Sequence, residues 1–123
     1  MAALKKRYYP KIAEEVYLAT LDNGMSLSII KKKGFIEKAA FLSTNFGALD
    51  NHFYIDGELQ SYPAGIAHFL EHKLFEDDQG RDVTLDFVKL GADVNAFTTL
   101  DKTTYYFSTL DHFEESLELL LKF

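Results

Sequence analysis

The sequence predicts an α+β domain, an antiparallel or mixed sheet with helices packed on one side. Three observations carry that prediction. Short β-branched and aromatic runs bounded by turn residues recur near both ends of the chain, as strands require. Apolar residues fall at helical spacing around 65–75, 82–90 and 111–121. No repeat or low-complexity segment interrupts the 123 residues, a length that one domain can occupy.

Taken in order, Val16 to Leu21 and Met25 to Ile30 read as two strands of a hairpin. Asp22-Asn23-Gly24 joins them, and Asn-Gly tolerates the positive φ angles of a type I′ turn. Met25, Leu27 and Ile29 alternate with Ser26 and Ser28, which predicts one buried and one wet face. Lys38 to Phe46 gives a third strand, and the polar, aromatic stretch from Leu49 to Pro63 reads as an irregular loop. Asp82 to Leu90 is a short helix closed by Gly91 at its C′ position. Val94 to Leu100 and Thr103 to Leu110 form a second hairpin, turning at Asp101-Lys102. Asp111 opens the last helix, with Glu114 placed for a capping box and Phe113, Leu117, Leu120 and Leu121 on one face. The chain stops inside that apolar face, without Gly, Pro or a polar break, so a longer parent protein is expected.

Most of the chemistry lies in Gly65-Ile66-Ala67-His68-Phe69-Leu70-Glu71-His72-Lys73-Leu74-Phe75, which reads as a helix. Residues four apart share a helix face, so His68 and His72 can offer two imidazole nitrogens to one metal ion at the ~2.0–2.1 Å zinc prefers. Glu71 sits beside that face, where a carboxylate can take a proton from water. The order His-x-x-Glu-His is the zincin motif reversed. A single His on an apolar helix is usually a packed core residue. Two His and a Glu on one such helix are costly to bury unless something satisfies them. His52 and His112 belong to no motif, and His112 is expected to be exposed in a first helical turn. Asn95 interrupts a strand, where Asn is depleted, and so predicts a bulge or a functional contact.

With these residues the chain resembles the insulinase/pitrilysin (M16) family of zinc metallopeptidases. Residues 65–75 look like its metal-binding helix, and Gly91-Ala92-Asp93-Val94-Asn95-Ala96-Phe97-Thr98-Thr99 is similar to its second signature. Thr103-Thr104-Tyr105 fits the strand that follows. Lys73 departs where Met is frequent, and points to the bacterial two-subunit or single-chain branch. The likeness covers roughly residues 16–123. It implies that residues 1–123 are the amino-terminal part of one metallopeptidase domain, of the mitochondrial-processing-peptidase kind. It implies Zn²⁺ on His68 and His72, Glu71 as the catalytic general base, and a third ligand, a Glu roughly 75 residues past His72, near position ~149. Glu114, Glu115 and Glu118 lie too close to serve as that ligand. It also implies that Val94 to Thr98 pairs with a peptide substrate, Asn95 and Ala96 giving main-chain contacts and Phe75 and Phe97 walling a side-chain pocket.

Composition excludes other classes. A formal charge of −6 argues against general nucleic-acid binding. Lys5-Lys6-Arg7 and Lys31-Lys32-Lys33 read as solvated strand ends. The lack of Cys removes disulfides and thiolate zinc sites. No stretch is apolar enough for a leader or a bilayer span, which makes the cytoplasm the default compartment and a membrane no partner. The expected activity is that of a zinc endopeptidase for short or unfolded peptides, with a homologous subunit or second half-domain as partner and this fragment silent alone. A non-catalytic interaction subunit of a paired complex is the alternative, and another metal hydrolase with the same motif is a third reading.

Overall fold

The computed structural model describes residues 3–122. The chain divides into two compact units, Met1–Phe35 and Ile36–Phe123.

The first unit is a three-stranded antiparallel sheet in the order β1-β2-β3. Its strands are β1 (Lys5–Tyr9), β2 (Glu14–Thr20) and β3 (Ser26–Ile30). Lys5-Lys6-Arg7 lie in β1 and are solvated, as expected of a strand end, but the full strand Lys5–Tyr9 was not delimited; every residue of it is exposed, so it carries no apolar alternation to detect. The hairpin between β2 and β3 is present, but its turn differs from expectation. Gly24 N–H donates to Leu21 C=O at 2.8 Å and Leu21 N–H donates to Met25 C=O at 2.8 Å, closing a three-residue loop. Within that loop Gly24 alone has positive φ, which makes it a turn ending in a left-handed Gly rather than type I′. Leu27 and Ile29 remain 36% and 43% exposed, so the buried face expected of β3 is not formed within this unit. A three-stranded sheet has no second layer of its own to cover either face.

The second unit is built on the antiparallel sheet β4-β8-β7, with β4 Lys38–Thr44, β7 Ala92–Thr98 and β8 Thr103–Thr109. β8 is central, and five of its seven residues are buried. Phe107 pairs with Ala40 and Val94, and Tyr105 with Leu42 and Ala96, so one face of the sheet gathers the apolar side chains. Helices α1 (Ile66–Lys73), α2 (Thr84–Lys89) and α3 (Phe113–Leu120) pack on that face. Phe87 and Leu120 join Ala92, Tyr105 and Phe107 in the core. This is the expected α+β arrangement with helices on one side.

Beyond shifts of one or two residues at strand ends, three regions differ from the sequence reading. The stretch from Leu49 to Pro63 is not irregular: β5 (His52–Ile55) and β6 (Glu58–Ser61) form a hairpin. Its turn is Asp56-Gly57 with φ of 51° and 83°, the Asp-Gly signal of a type I′ turn. Helix α2 starts at Thr84, because the Asp82 carboxylate accepts from the Thr84 N–H at 2.9 Å and its hydroxyl at 2.6 Å, fixing a turn ahead of the helix. Helix α3 has no capping box. His112 is its N-cap in the left-handed region, and no side chain caps the helix. Asp111 instead accepts from the N–H of His112 at 2.8 Å, and Glu115 rather than Glu114 meets the exposed His112 ring, at 3.3 Å. Among the described residues, no helix is long and apolar enough to cross a membrane.

Candidate metal centre

Helix α1 begins at Gly65, whose φ of 92° turns the chain into the helix and whose carbonyl accepts from Phe69 N–H at 2.9 Å. Gly reaches that conformation without the Cβ penalty other residues carry. Ala67 and Glu71, four apart, are the buried residues of the helix. His68 and His72 occupy the adjoining stripe and are exposed.

That arrangement brings the two imidazoles together. Their Nε2 atoms lie 3.2 Å apart and their rings 4.6 Å apart, inclined at 69°. Two nitrogens bound tetrahedrally to one zinc at ~2.0–2.1 Å would stand roughly 3.3–3.4 Å apart, so the pair is already spaced for a shared cation. Oε2 of Glu71 lies 3.7 Å from His68 Nδ1. His68, Glu71 and His72 together form a group whose ligand atoms lie within 4.8 Å of one another. Two imidazoles with a carboxylate beside them suit zinc, and the exposed imidazoles leave room for further ligands.

Glu71 is 7% exposed, facing the sheet rather than solvent. The hydroxyl of Thr98, at the end of β7, donates to its Oε2. Tyr105 lies close by: burial, and then the charge of Glu71, push its phenol above the ordinary tyrosine value, so it stays protonated. In the sequence reading Thr98 entered only as the end of the docking strand Val94 to Thr98, with no role toward Glu71. The contact spans 27 positions, and only helix–sheet packing reveals it.

The expected substrate residues fall around one edge. β7 is the outer strand of its sheet and pairs with β8 in unbroken register, so Asn95 marks no bulge. The side chain of Asn95 instead accepts the N–H of Ala96 at 2.8 Å. Phe75 stands 6.2 Å from Tyr105 and, with His72, Val94 and Asn95, lines a shallow groove running past Glu71. Phe97 does not share that groove. It projects from the opposite face, 6.0 Å from Tyr106, which stacks on Phe41 at 5.3 Å. Successive strand residues point to opposite faces, so Phe97 cannot join Val94 on the helix side.

Fold and site together place the chain among α+β domains that hold a His-x-x-Glu-His helix against the edge of an antiparallel sheet. Residues 58–123 match the family described as Insulinase (Peptidase family M16), and the chain belongs to that family. It is 43% identical to YmfH, an uncharacterized zinc protease of Bacillus subtilis (strain 168), over 98% of this chain and 28% of the relative. Identity to the mitochondrial-processing peptidase subunit beta of Dictyostelium discoideum is 25%, over 91% of this chain and 23% of that one. A solved M16-like peptidase structure from Alicyclobacillus acidocaldarius superposes with a TM-score of 0.79 at 38% identity, covering 89% of this chain and 26% of that chain. The chain thus spans about a quarter of the length of these relatives.

Proposed function

We propose that the chain carries the first half of the catalytic site of a zinc endopeptidase acting on short or unfolded peptides. The observation that supports this best is the 3.2 Å convergence of the His68 and His72 Nε2 atoms with a buried carboxylate beside them. His68 and His72 would hold the ion, and a Glu supplied from beyond residue 123 would complete the protein ligands. Zinc held there would supply Lewis-acid chemistry, polarising a scissile carbonyl and lowering the pKa of a bound water to near neutral. Glu71 takes the proton of the attacking water and delivers it to the departing amine, so the carboxylate is regenerated with each cleavage.

The edge of β7 orients the substrate. An extended peptide adding to it would meet the N–H of Ala96 once the amide of Asn95 lets go. Alternate side chains of such a peptide point to opposite faces: one enters the groove beside Phe75 and its neighbour lies over Phe97. A homologous subunit or a second half-domain is the expected partner, in keeping with a relative that is itself a subunit.

Glu71→Gln in the full-length, zinc-loaded protein tests the assignment. Zinc content should hold while peptide cleavage falls by about 10²–10⁴-fold. Cleavage within a few-fold of the parent would remove Glu71 as base.

A further inference from the structure

The geometry points to Thr98 as the positioning residue of Glu71, with Thr103 deciding where the Thr98 proton goes. The inference rests on Glu71 being the general base. An ionised carboxylate only accepts hydrogen bonds, so in the contact between Thr98 Oγ1 and Glu71 Oε2 the hydroxyl is the donor. Thr98 has one proton to give. A second hydroxyl, that of Thr103, lies 3.5 Å away. Thr103 is 2% exposed and commits its own proton to the Phe46 carbonyl at 2.7 Å. It therefore has none left for Thr98, and at 3.5 Å it is a poor acceptor beside a charged carboxylate at hydrogen-bond distance.

The consequence is directional. With Oε2 pinned from the sheet, the carboxylate plane of Glu71 is set by β7 and not by the helix alone. A glutamate has three side-chain torsions, and a base that must meet a water at 2.6–3.2 Å loses rate when those torsions wander. Strand β7 also supplies Asn95 and Ala96, so one strand would register the peptide and hold the base that attacks it.

In the full-length zinc-loaded protein, Thr98→Val removes the hydroxyl at nearly constant volume. The kcat should fall roughly ten- to a hundredfold, the loss expected for one hydrogen bond to a charged group, with KM changed less than about twofold. Thr98→Ser should restore kcat to within about threefold, with zinc stoichiometry and melting midpoint alike across the series. Should the Val protein fail to fold, Thr98→Ala against Thr98→Ser carries the same contrast. Added to Glu71→Gln, Thr98→Val should cost nothing further in kcat, because the base it positions has gone. Normal kcat in Thr98→Val with a silent Glu71→Gln overturns this proposal alone. An active Glu71→Gln overturns it together with the base assignment. A Ser variant as slow as Val, or zinc lost with the hydroxyl, would show that Thr98 acts in packing or metal retention instead.

Discussion

Gly47→Ala should unfold the second unit at markedly lower denaturant. Gly47 is buried, and a Cβ there would sit 2.4 Å from Lys102 N, 2.5 Å from Asp101 N and 2.6 Å from Asp101 C. All three are backbone atoms, so no side chain can swing away. The two segments would have to part by about 1 Å to reach ordinary contact at 3.4 Å. They are stitched together by Ala48 N–H to Thr99 C=O at 2.9 Å, Leu49 N–H to Leu100 C=O at 3.0 Å, and the Thr103 hydroxyl on Phe46. Overpacking costs about 1–3 kcal/mol, and loss of one or two of those bonds adds about 1 kcal/mol each, giving about 2–5 kcal/mol in all. For a unit of this size the melting midpoint falls by roughly 4–8 °C per kcal/mol, so a drop of roughly 8–40 °C is expected. Urea unfolding followed by far-UV circular dichroism measures it, with Asp50→Ala as the control. That change removes only the acceptor of the Gly47 N–H, at 2.7 Å, and should cost about 1 kcal/mol. Gly47→Ala within about 0.5 kcal/mol of the parent would refute the steric argument. Because the 99–102 turn carries Thr98 and Thr103 at its ends, cleavage by the full-length protein should fall with stability.

Other perturbations separate the remaining parts of the site. Ala96→Pro removes the N–H that Asn95 now holds and should raise KM for peptides while leaving zinc content unchanged; an unaltered KM would show that β7 is not the docking edge. Residues 1–123 expressed alone should bind zinc weakly and cleave nothing, since two imidazoles alone leave the tetrahedral set incomplete; tight stoichiometric binding in titration calorimetry would place the third ligand within this chain. The turn from Asp77 to Arg81 should loosen only in acid. Hydrogen bonds from Arg81 N–H, then Gln79 N–H and the Arg81 side chain, hold the Asp77 carboxyl below its usual value. Its stabilisation is therefore complete above the unfolded aspartate pKa of about 3.9 and is lost as pH falls through the lower folded value. Amide exchange at Arg81 should show a protection step below about pH 4 that Asp77→Asn abolishes.

The metal helix was the most legible part of the chain because its signal is one-dimensional. His68, Glu71 and His72 lie within five residues, and helix geometry alone converts that spacing into adjacency. The β7–β8 hairpin was legible for a similar reason, its β-branched and aromatic runs lying close together in sequence. β1 was illegible because a fully exposed strand leaves no alternation to read. The β5–β6 hairpin was missed although its Asp56-Gly57 turn signal is present, because strands of four mostly exposed residues show too short an alternation to read. The opening of α3 followed a capping pattern that the backbone did not use, because a left-handed His112 starts the helix one residue later.

The division between Glu71 and Thr98 has a different origin. A sequence motif can state which carboxylate stands beside two imidazoles, but not which of its oxygens is held, or by what. That depends on α1 lying across β7 with Ala67 and Glu71 inward, and on Thr98 closing the strand where Glu71 arrives. The packing also explains why Glu71 is buried while both imidazoles stay exposed. Buried against Thr98, the carboxylate has a donor that a solvent-facing glutamate would have to find in water. Exposed, the imidazoles keep the side on which a cation and a peptide can approach. Turning α1 by one residue would exchange these roles, hiding an imidazole against the sheet and leaving the carboxylate loose, so the site depends on the register of that helix as much as on its sequence.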